Sequence, residues 1–220
     1  MQKMNAIIFG APGSGKGTYS ARLRDRLGIE VISMGDIFRG MMQENSILGR
    51  IIKRYVEAGL LVPDPIVIEV LADRISNMQQ GSGFILDGFP RTLAQAEVLE
   101  KTAKIDVVIE LAVPDWIIIE RLSSRRICKN CGAAYNLRFM KPKVEGVCDR
   151  CGGQLYQRSD DNPAVIKMRL ELYECETSPI LRFYQTSNVP VIKHTTDVLE
   201  APPEKVVDYI VSELKKLKLA

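Results

Sequence analysis

The stretch Gly10-Ala11-Pro12-Gly13-Ser14-Gly15-Lys16-Gly17-Thr18 follows the apolar run Ala6-Ile7-Ile8-Phe9. A short β-type run, a glycine-rich loop ending in lysine, and a helix-compatible segment together have the layout of a phosphate-binding loop. Glycines let backbone N–H groups converge on an anion with no Cβ in the way, and the helix behind them offers its positive end. Lys16 adds a mobile charge for the outer phosphates of a nucleotide. One position departs from the general motif: Gly17 stands where a serine or threonine hydroxyl would ligate magnesium, and Thr18 follows it. A glycine-rich turn with no ligand is disfavoured by the strand in front and the helix behind.

The run Gly83-Phe84-Ile85-Leu86-Asp87-Gly88-Phe89-Pro90-Arg91-Thr92 is an apolar strand ending in a carboxylate and a turn. An aspartate there, beside a phosphate loop, is placed to hold hydrated Mg2+. With Gly17 displacing the usual hydroxyl, more of the magnesium shell would be water anchored by Asp87. Arginines recur at the borders of loops and insertions: Arg39, Arg91, Arg121, Arg125, Arg158 and Arg169. Phosphoryl transfer needs positioned positive charge and excluded water more than acid–base chemistry. One arginine finger is worth ~10^3–10^5 in rate. The set suits transfer between two bound phosphate compounds.

Four of the five cysteines stand as Cys128-x2-Cys131-x16-Cys148-x2-Cys151, each pair followed by glycine. Two tight turns aiming thiolates at one point make a tetrahedral four-cysteine zinc site. Iron fits a sulfur-only site too, and two disulfides are disfavoured in a reducing compartment. Four thiolates leave no open coordination position, so the metal is structural. Structural zinc contributes ~10–16 kcal/mol in small zinc peptides, enough to organise a segment with almost no core. Cys175 is expected to be a packed core thiol, and His194 an ordinary histidine following a strand.

Elements that would position these groups alternate between strand and helix, which predicts an α/β fold with a parallel sheet. Strands are expected at 5–9, 29–32, 83–87, 105–111 and 189–193, and helices at 16–27, 35–43, 47–57, 65–78, 92–101, 115–126, 163–187 and 202–217. Asp64-Pro65 and Asn162-Pro163 each place a capping residue before a proline at the first helical position. Pro179 should kink or split the long helix. Residues 34–62 read as a helical excursion and 127–161 as a cysteine- and glycine-rich insertion of short strands and turns.

The hydrophobic fraction of 46% with 26% charged residues excludes a disordered chain. A net charge of +3 is too small to imply nucleic-acid binding by itself. The amino-terminal apolar run is too short for a signal peptide, and no run reaches the ~18 apolar residues of a membrane span. A cytoplasmic monomer is expected, without nucleic-acid or membrane partners.

Taken together these residues resemble the adenylate kinases over essentially the whole chain. The matching motifs are the Gly-Lys-Gly-Thr ending of the loop, Ser33-Met34-Gly35-Asp36-Ile37-Phe38-Arg39, Asp87-Gly88-Phe89-Pro90-Arg91-Thr92 with Gln95, Arg121-x3-Arg125-Arg126, and Arg158-x-Asp160-Asp161 with Arg169. The four cysteines are similar to those of the zinc-bearing long-lid variant. The resemblance implies a P-loop core flanked by helices at 1–33, 63–126 and 162–220, a nucleoside monophosphate-binding insertion at 34–62, and a zinc-bearing lid at 127–161. It also implies reversible Mg-dependent transfer, ATP + AMP to two ADP. Gly13, Ser14, Gly15, Lys16, Gly17 and Thr18 would hold the ATP phosphates. Arg121, Ala134, Tyr135 and Val198 would complete the donor contacts. Arg39 and Arg91 would grip the AMP phosphate. Met34, Leu60, Leu61, Val62, Gly88, Phe89, Pro90 and Gln95 would line the acceptor site. Arg125, Arg158 and Arg169 would close over the transferring group, the last two also reaching AMP, with Asp160 and Asp161 latching the lid.

Met34 stands where the family usually has a hydroxyl, and residues 195–202 lack the family's Asp-Gly-Thr turn, which leaves ATP and GTP both open as donor. Another nucleoside monophosphate kinase, such as a GTP:AMP phosphotransferase, is the nearest alternative. The long lid weighs against a UMP/CMP kinase, and the missing Asn-Lys-x-Asp signature against a GTPase. A zinc-ribbon P-loop nucleic-acid protein is the alternative from another class.

Overall fold

Strand β1 (Asn5–Gly10) is an unbroken apolar run because both of its faces are covered. A computed structural model describes residues 4–79, 81–200 and 202–220. Met1–Lys3 of the expected unit 1–33, Gln80, and Ala201 of the 195–202 turn lie outside the described residues. β1 pairs in parallel with β3 (Phe84–Asp87) and β4 (Val107–Ala112). β2 (Glu30–Ser33) flanks β3 and β8 (Val191–Thr195) flanks β4, giving a parallel sheet in the order β2-β3-β1-β4-β8.

Alternation along β1 divides the core. Ile7 and Phe9 enter one layer with Val67 of α4 (Asp64–Ser76), Leu99 of α5 (Leu93–Thr102) and Tyr184 of α8 (Ile180–Thr186). Ala6 and Ile8 face Leu23 of α1 (Lys16–Leu27) and Ile210 of α9 (Pro203–Lys216). Burying one such side chain is worth about 1.5–3 kcal/mol, so the two layers together hold the central strands rigid. Connections run to one side of β1 for β2 and β3 and to the other for β4 and β8. The crevice that binds ligands in open α/β sheets therefore lies outside the carboxyl end of β1, where Gly10 and Asp87 sit.

Helices α2 (Met34–Gln43) and α3 (Ile47–Ala58) fill the interval after β2. Ser33 caps α2 by accepting from the Asp36 N–H, and Ser46 caps α3 by accepting from Gly49. A second sheet, β6 (Ala134–Asn136), β5 (Arg125–Cys128) and β7 (Leu155–Tyr156), is antiparallel and occupies the cysteine-rich interval.

Several expected boundaries move, each for a tertiary reason. The helix expected at 115–126 is α6 (Asp115–Ser123), and Arg125 already belongs to β5. The Asn136 side chain and the Leu137 N–H donate to Arg121 O and Ser124 O at 3.1 and 2.9 Å, taking late carbonyls that another helical turn would have used. The helix expected at 163–187 splits into α7 (Pro163–Leu172), a π-helical turn at Tyr173–Thr177, and α8 after Pro179. That turn aims Thr177 inward, where its hydroxyl donates to Arg91 O at 3.1 Å, and leaves Cys175 exposed rather than packed in the core. β8 begins after Pro190, two residues later than expected, so His194 lies within the strand, half-buried against the Tyr209 ring. Asn162 caps α7 through Val165 N–H as expected. Asp64 caps nothing: it is the first residue of α4, and its carboxylate turns towards α5.

Candidate active site

The phosphate loop spans the end of β1 and the start of α1. Gly13 and Gly15 have φ of +84° and +104°, conformations a side chain rarely adopts. A Cβ on Gly13 would meet Leu122 of α6 at 2.8 Å, so the loop is pressed directly onto that helix. Lys16 Nζ donates to Gly10 O at 2.5 Å and Ala11 O at 3.0 Å, lying back across its own loop. Burial lowers Lys16 to about 8, Arg91, Arg169 and Arg125 push the same way, and Asp87 opposes them. The Asp87 carboxylate overhangs Gly17, 3.6 Å from where a Cβ would stand there. Burial raises Asp87, against the pull of Lys16 and Arg91. Ser14 is fully buried, with its hydroxyl unpartnered among the described residues. Thr18 is half-buried on the first turn of α1.

Arg121 ties this loop to the turn after β8. Its guanidinium donates to Leu199 O at 3.1 and 3.2 Å and to Val198 O at 3.3 Å, and makes a long 3.5 Å contact with Ser14 O. Val198 itself is half exposed.

Five further arginines gather beyond the loop. Arg125 grips Asp161 through two bonds of 2.8 and 2.6 Å, and Asp161 has no exposed surface. Arg169 reaches Asp160 Oδ2 at 2.8 Å and the Asp160 carbonyl at 3.0 Å. Burial alone would raise Asp160, but Arg169, Arg125 and Arg158 outweigh it and hold the carboxyl low. Arg39 pairs with Asp36 and lies over Gly35. Arg91 Nε donates to Gly88 O at 3.0 Å and has no ion-pair partner among the described residues. Arg158 likewise has none, and its buried Nε lacks any hydrogen bond. Burial, then Arg125 and Arg39, lower Arg158 to about 10. Six cations thus share four carboxylates, and two of the guanidinium groups are left for an anion.

A cavity opens beside this cluster. Its wall includes the expected Leu60, Leu61, Val62, Gly88 and Gln95, together with Arg39, Arg91 and Arg169. Met34 and Phe89 are not on that wall: both side chains are packed in the core beneath it, and Pro90 is buried too. Gln95 is buried and accepts the Arg91 N–H at 2.8 Å. Gly35 and Phe38, from the motif that ends in Arg39, also line the cavity, as do Val56, Gly59 and Val67, which carry no motif that reveals them in sequence. Gly59 lies close under α7, where a Cβ would meet Val165 at 2.7 Å.

The four sequence-marked cysteines converge, all thiols within 4.8 Å of one another. The nearest pairs, Cys128–Cys151 and Cys131–Cys148, stand at 3.5 and 3.6 Å, too far for disulfides. Tetrahedral zinc with ~2.3 Å bonds needs sulfur atoms about 3.8 Å apart, so the cluster fits a metal. Two equivalent turns build it. Cys128 N–H donates to Ala133 O and Gly132 N–H to Cys128 O, and Cys148 does the same with Gly153 and Gly152. Ala134 is exposed on β6, whereas the Tyr135 side chain is buried against the cysteines. Its hydroxyl lies 3.4 Å from Cys148 Sγ and accepts the Asp149 N–H at 2.7 Å.

The family model described as Adenylate kinase matches residues 8–189. An adenylate kinase of Caldicellulosiruptor bescii is 46% identical over 209 residues, 93% of this chain and 97% of its own. One from Caldicellulosiruptor saccharolyticus is 50% identical over 193 residues, covering 86% and 90%. The chain belongs to the adenylate kinase family. A third adenylate kinase, from Bacillus pumilus, is 47% identical over 204 residues, 89% of this chain and 94% of its own.

Membership in the adenylate kinase family gives the charge imbalance a use, and the Lys16 environment makes it pH-sensitive. A lysine lowered to about 8 is charged below that value and loses its proton as pH rises through it. Titrated with ATP by calorimetry, the protein should bind about tenfold more weakly at pH 9 than at pH 7, as the charged fraction falls. A flat profile over that range contradicts the assignment.

Proposed function

We propose that the chain transfers the terminal phosphoryl group of ATP to AMP, reversibly giving two ADP, on a P-loop core with two closing insertions. The observation that carries the reading is the surplus of cations: among the described residues Arg91 and Arg158 form no ion pair, and Arg91 lies on the cavity wall. Two bound phosphate chains would supply the missing negative charge.

In this reading Gly13 to Thr18 hold the ATP phosphates through backbone N–H groups and Lys16, which swings from its own carbonyls to the donor. Arg121, Ala134 and the Tyr135 and Val198 backbones frame the donor nucleotide. Arg39 and Arg91 grip the AMP phosphate, and Leu60 to Val62, Gly88 and Gln95 frame its base. Arg125, Arg158 and Arg169 stabilise charge on the phosphoryl group in flight, with Asp160 and Asp161 orienting them. No side chain need abstract a proton, and closure excludes the water that would hydrolyse ATP. Asp87 is suited to hold hydrated Mg2+, which when bound neutralises phosphate charge. The units are the core at 1–33, 63–126 and 162–220, the acceptor insertion at 34–62 and the lid at 127–161.

Cys128, Cys131, Cys148 and Cys151 are suited to hold structural zinc, with iron the alternative. The Tyr135 hydroxyl would then orient Cys148, as neighbours of metal ligands commonly do. The reduced thiols fit a cytoplasmic enzyme, and no helix among the described residues is long and apolar enough to cross a membrane. A monomer acting on ATP, AMP and ADP, with no nucleic-acid partner, is the simplest form.

A coupled assay of four nucleoside monophosphates against ATP and GTP tests the reading. ADP formation should be fastest with ATP and AMP by at least tenfold. Equal or faster turnover with GTP would reassign the donor, and salt-sensitive RNA binding without turnover would favour a nucleic-acid protein. Purified protein should carry about one zinc or iron, and chelation should lower the thermal midpoint while leaving activity at low temperature. A metal-free protein of undiminished stability would remove the four-cysteine site.

A further inference from the structure

Among the described residues Asp64 is the one that reaches the amide nitrogen of Gln95, at the end opposite Arg91. Its Oδ1 accepts from Gln95 Nε2 at 2.6 Å, and its Oδ2 accepts from the Thr92 hydroxyl at 2.8 Å. Thr92 Oγ1 in turn accepts the Gln95 N–H at 3.2 Å, which ties the carboxylate to the start of α5. Across the amide, Gln95 Oε1 accepts the Arg91 N–H at 2.8 Å.

A carboxylate only accepts and a backbone N–H only donates. These two neighbours therefore fix which end of the Gln95 amide is oxygen and which is nitrogen. Turning the amide over would set acceptor against acceptor at Asp64 and donor against donor at Arg91. Gln95 is 1% exposed, so water cannot relieve either mismatch. Each end of the amide still has one unused group, a second N–H on nitrogen and a second lone pair on oxygen. Gln95 lines the cavity with Leu61, Gly88 and Arg91.

We propose that Asp64 is a specificity-determining positioning residue: by locking the Gln95 amide it makes the acceptor cavity select a 6-aminopurine over a 6-oxopurine. The inference rests on the reading that this cavity takes a purine nucleoside monophosphate. A 6-aminopurine offers a donor at position 6 and an acceptor at the neighbouring ring nitrogen, whereas a 6-oxopurine offers the reverse order. An amide held in one orientation complements one order, and a freely turning amide would serve both. Sites built on buried hydrogen bonds discriminate strongly, because the wrong ligand leaves their polar groups unpaired.

Asp64→Asn tests this, since an asparagine can present nitrogen to a turned Gln95 amide and so leaves only the Arg91 N–H opposing the turn. The readout is the ratio of kcat/KM for AMP to that for inosine monophosphate, with the metal-loaded enzyme at saturating ATP. The ratio should fall about tenfold, through a higher KM for AMP and a lower one for inosine monophosphate, while KM for ATP stays unchanged. Thr92→Val removes one bond that aims the carboxylate and keeps its charge, so it should move the ratio the same way by a smaller factor. It also serves if Asp64→Asn does not fold. A merely structural Asp64 would lower stability and affect both acceptors alike, so an unchanged ratio in either folded variant overturns the proposal. A wild-type enzyme that transfers to neither acceptor defeats the underlying reading instead, and the two failures are distinct.

Discussion

Gathering six cations around four carboxylates works against folding, because like charges repel and burial strips each of its water. Asp160, Asp161 and Asp36 offset part of that cost for Arg169, Arg125 and Arg39. For Arg158 the offset is weaker: its Nε is buried without a hydrogen-bond partner, and after burial itself Arg125 and Arg39 act on it more strongly than Asp160 and Asp36, which favour its charge. Such an arrangement persists when the rest of the fold over-determines it, and it has a use when a ligand brings the missing negative charge. Stability and activity are then opposed at the same side chains.

The fold meets this constraint by drawing each cation from a different segment. Lys16 comes from the loop after β1, Arg39 from α2, Arg91 from the turn after β3 and Arg125 from β5. Arg158 precedes the turn at Ser159–Asp161, and Arg169 lies on α7. The parallel sheet, buried on both faces, is the rigid part; the helical excursion and the small antiparallel sheet bring the outer charges to it. α3 packs against the turn at Ser159–Asp161, and Gly59 lies against Val165 and Arg169, so the helical excursion meets the end of the cysteine-rich interval and the helix after it.

What the sequence made legible was local. The phosphate loop, the Asp87 strand end and both cysteine turns are short motifs whose backbone geometry follows from glycine and spacing. The central strands read as apolar runs because the sheet is covered on both sides. Where the reading failed, the deciding contact lay far along the chain. Arg125 leaves the helical pattern because Asn136 and Leu137 take the α6 carbonyls. Cys175 turns outward because Thr177, two residues on, is drawn to Arg91. Asp64 looked like a helix cap, and its link to Thr92 and Gln95 crosses about thirty residues that carry no periodic signal. The family resemblance implies a donor contact for Tyr135, yet its hydroxyl serves the cysteines.

The cysteine-rich interval is held on different terms from the parallel sheet. Its apolar cluster is small, Cys128, Ala133, Tyr135, Cys148 and Leu155, and its order depends on the thiols meeting at one point. Arg125 and Arg158 border this interval, and Arg125 is fixed by its ion pair with Asp161. The most direct test of the charge account is Arg158→Ala, read for both folding stability and turnover. Removing an unpaired cation from a crowded positive cluster should leave the ligand-free protein as stable as before, or more so, while kcat falls by roughly 10^3. A variant that loses stability yet keeps near wild-type turnover would contradict the account.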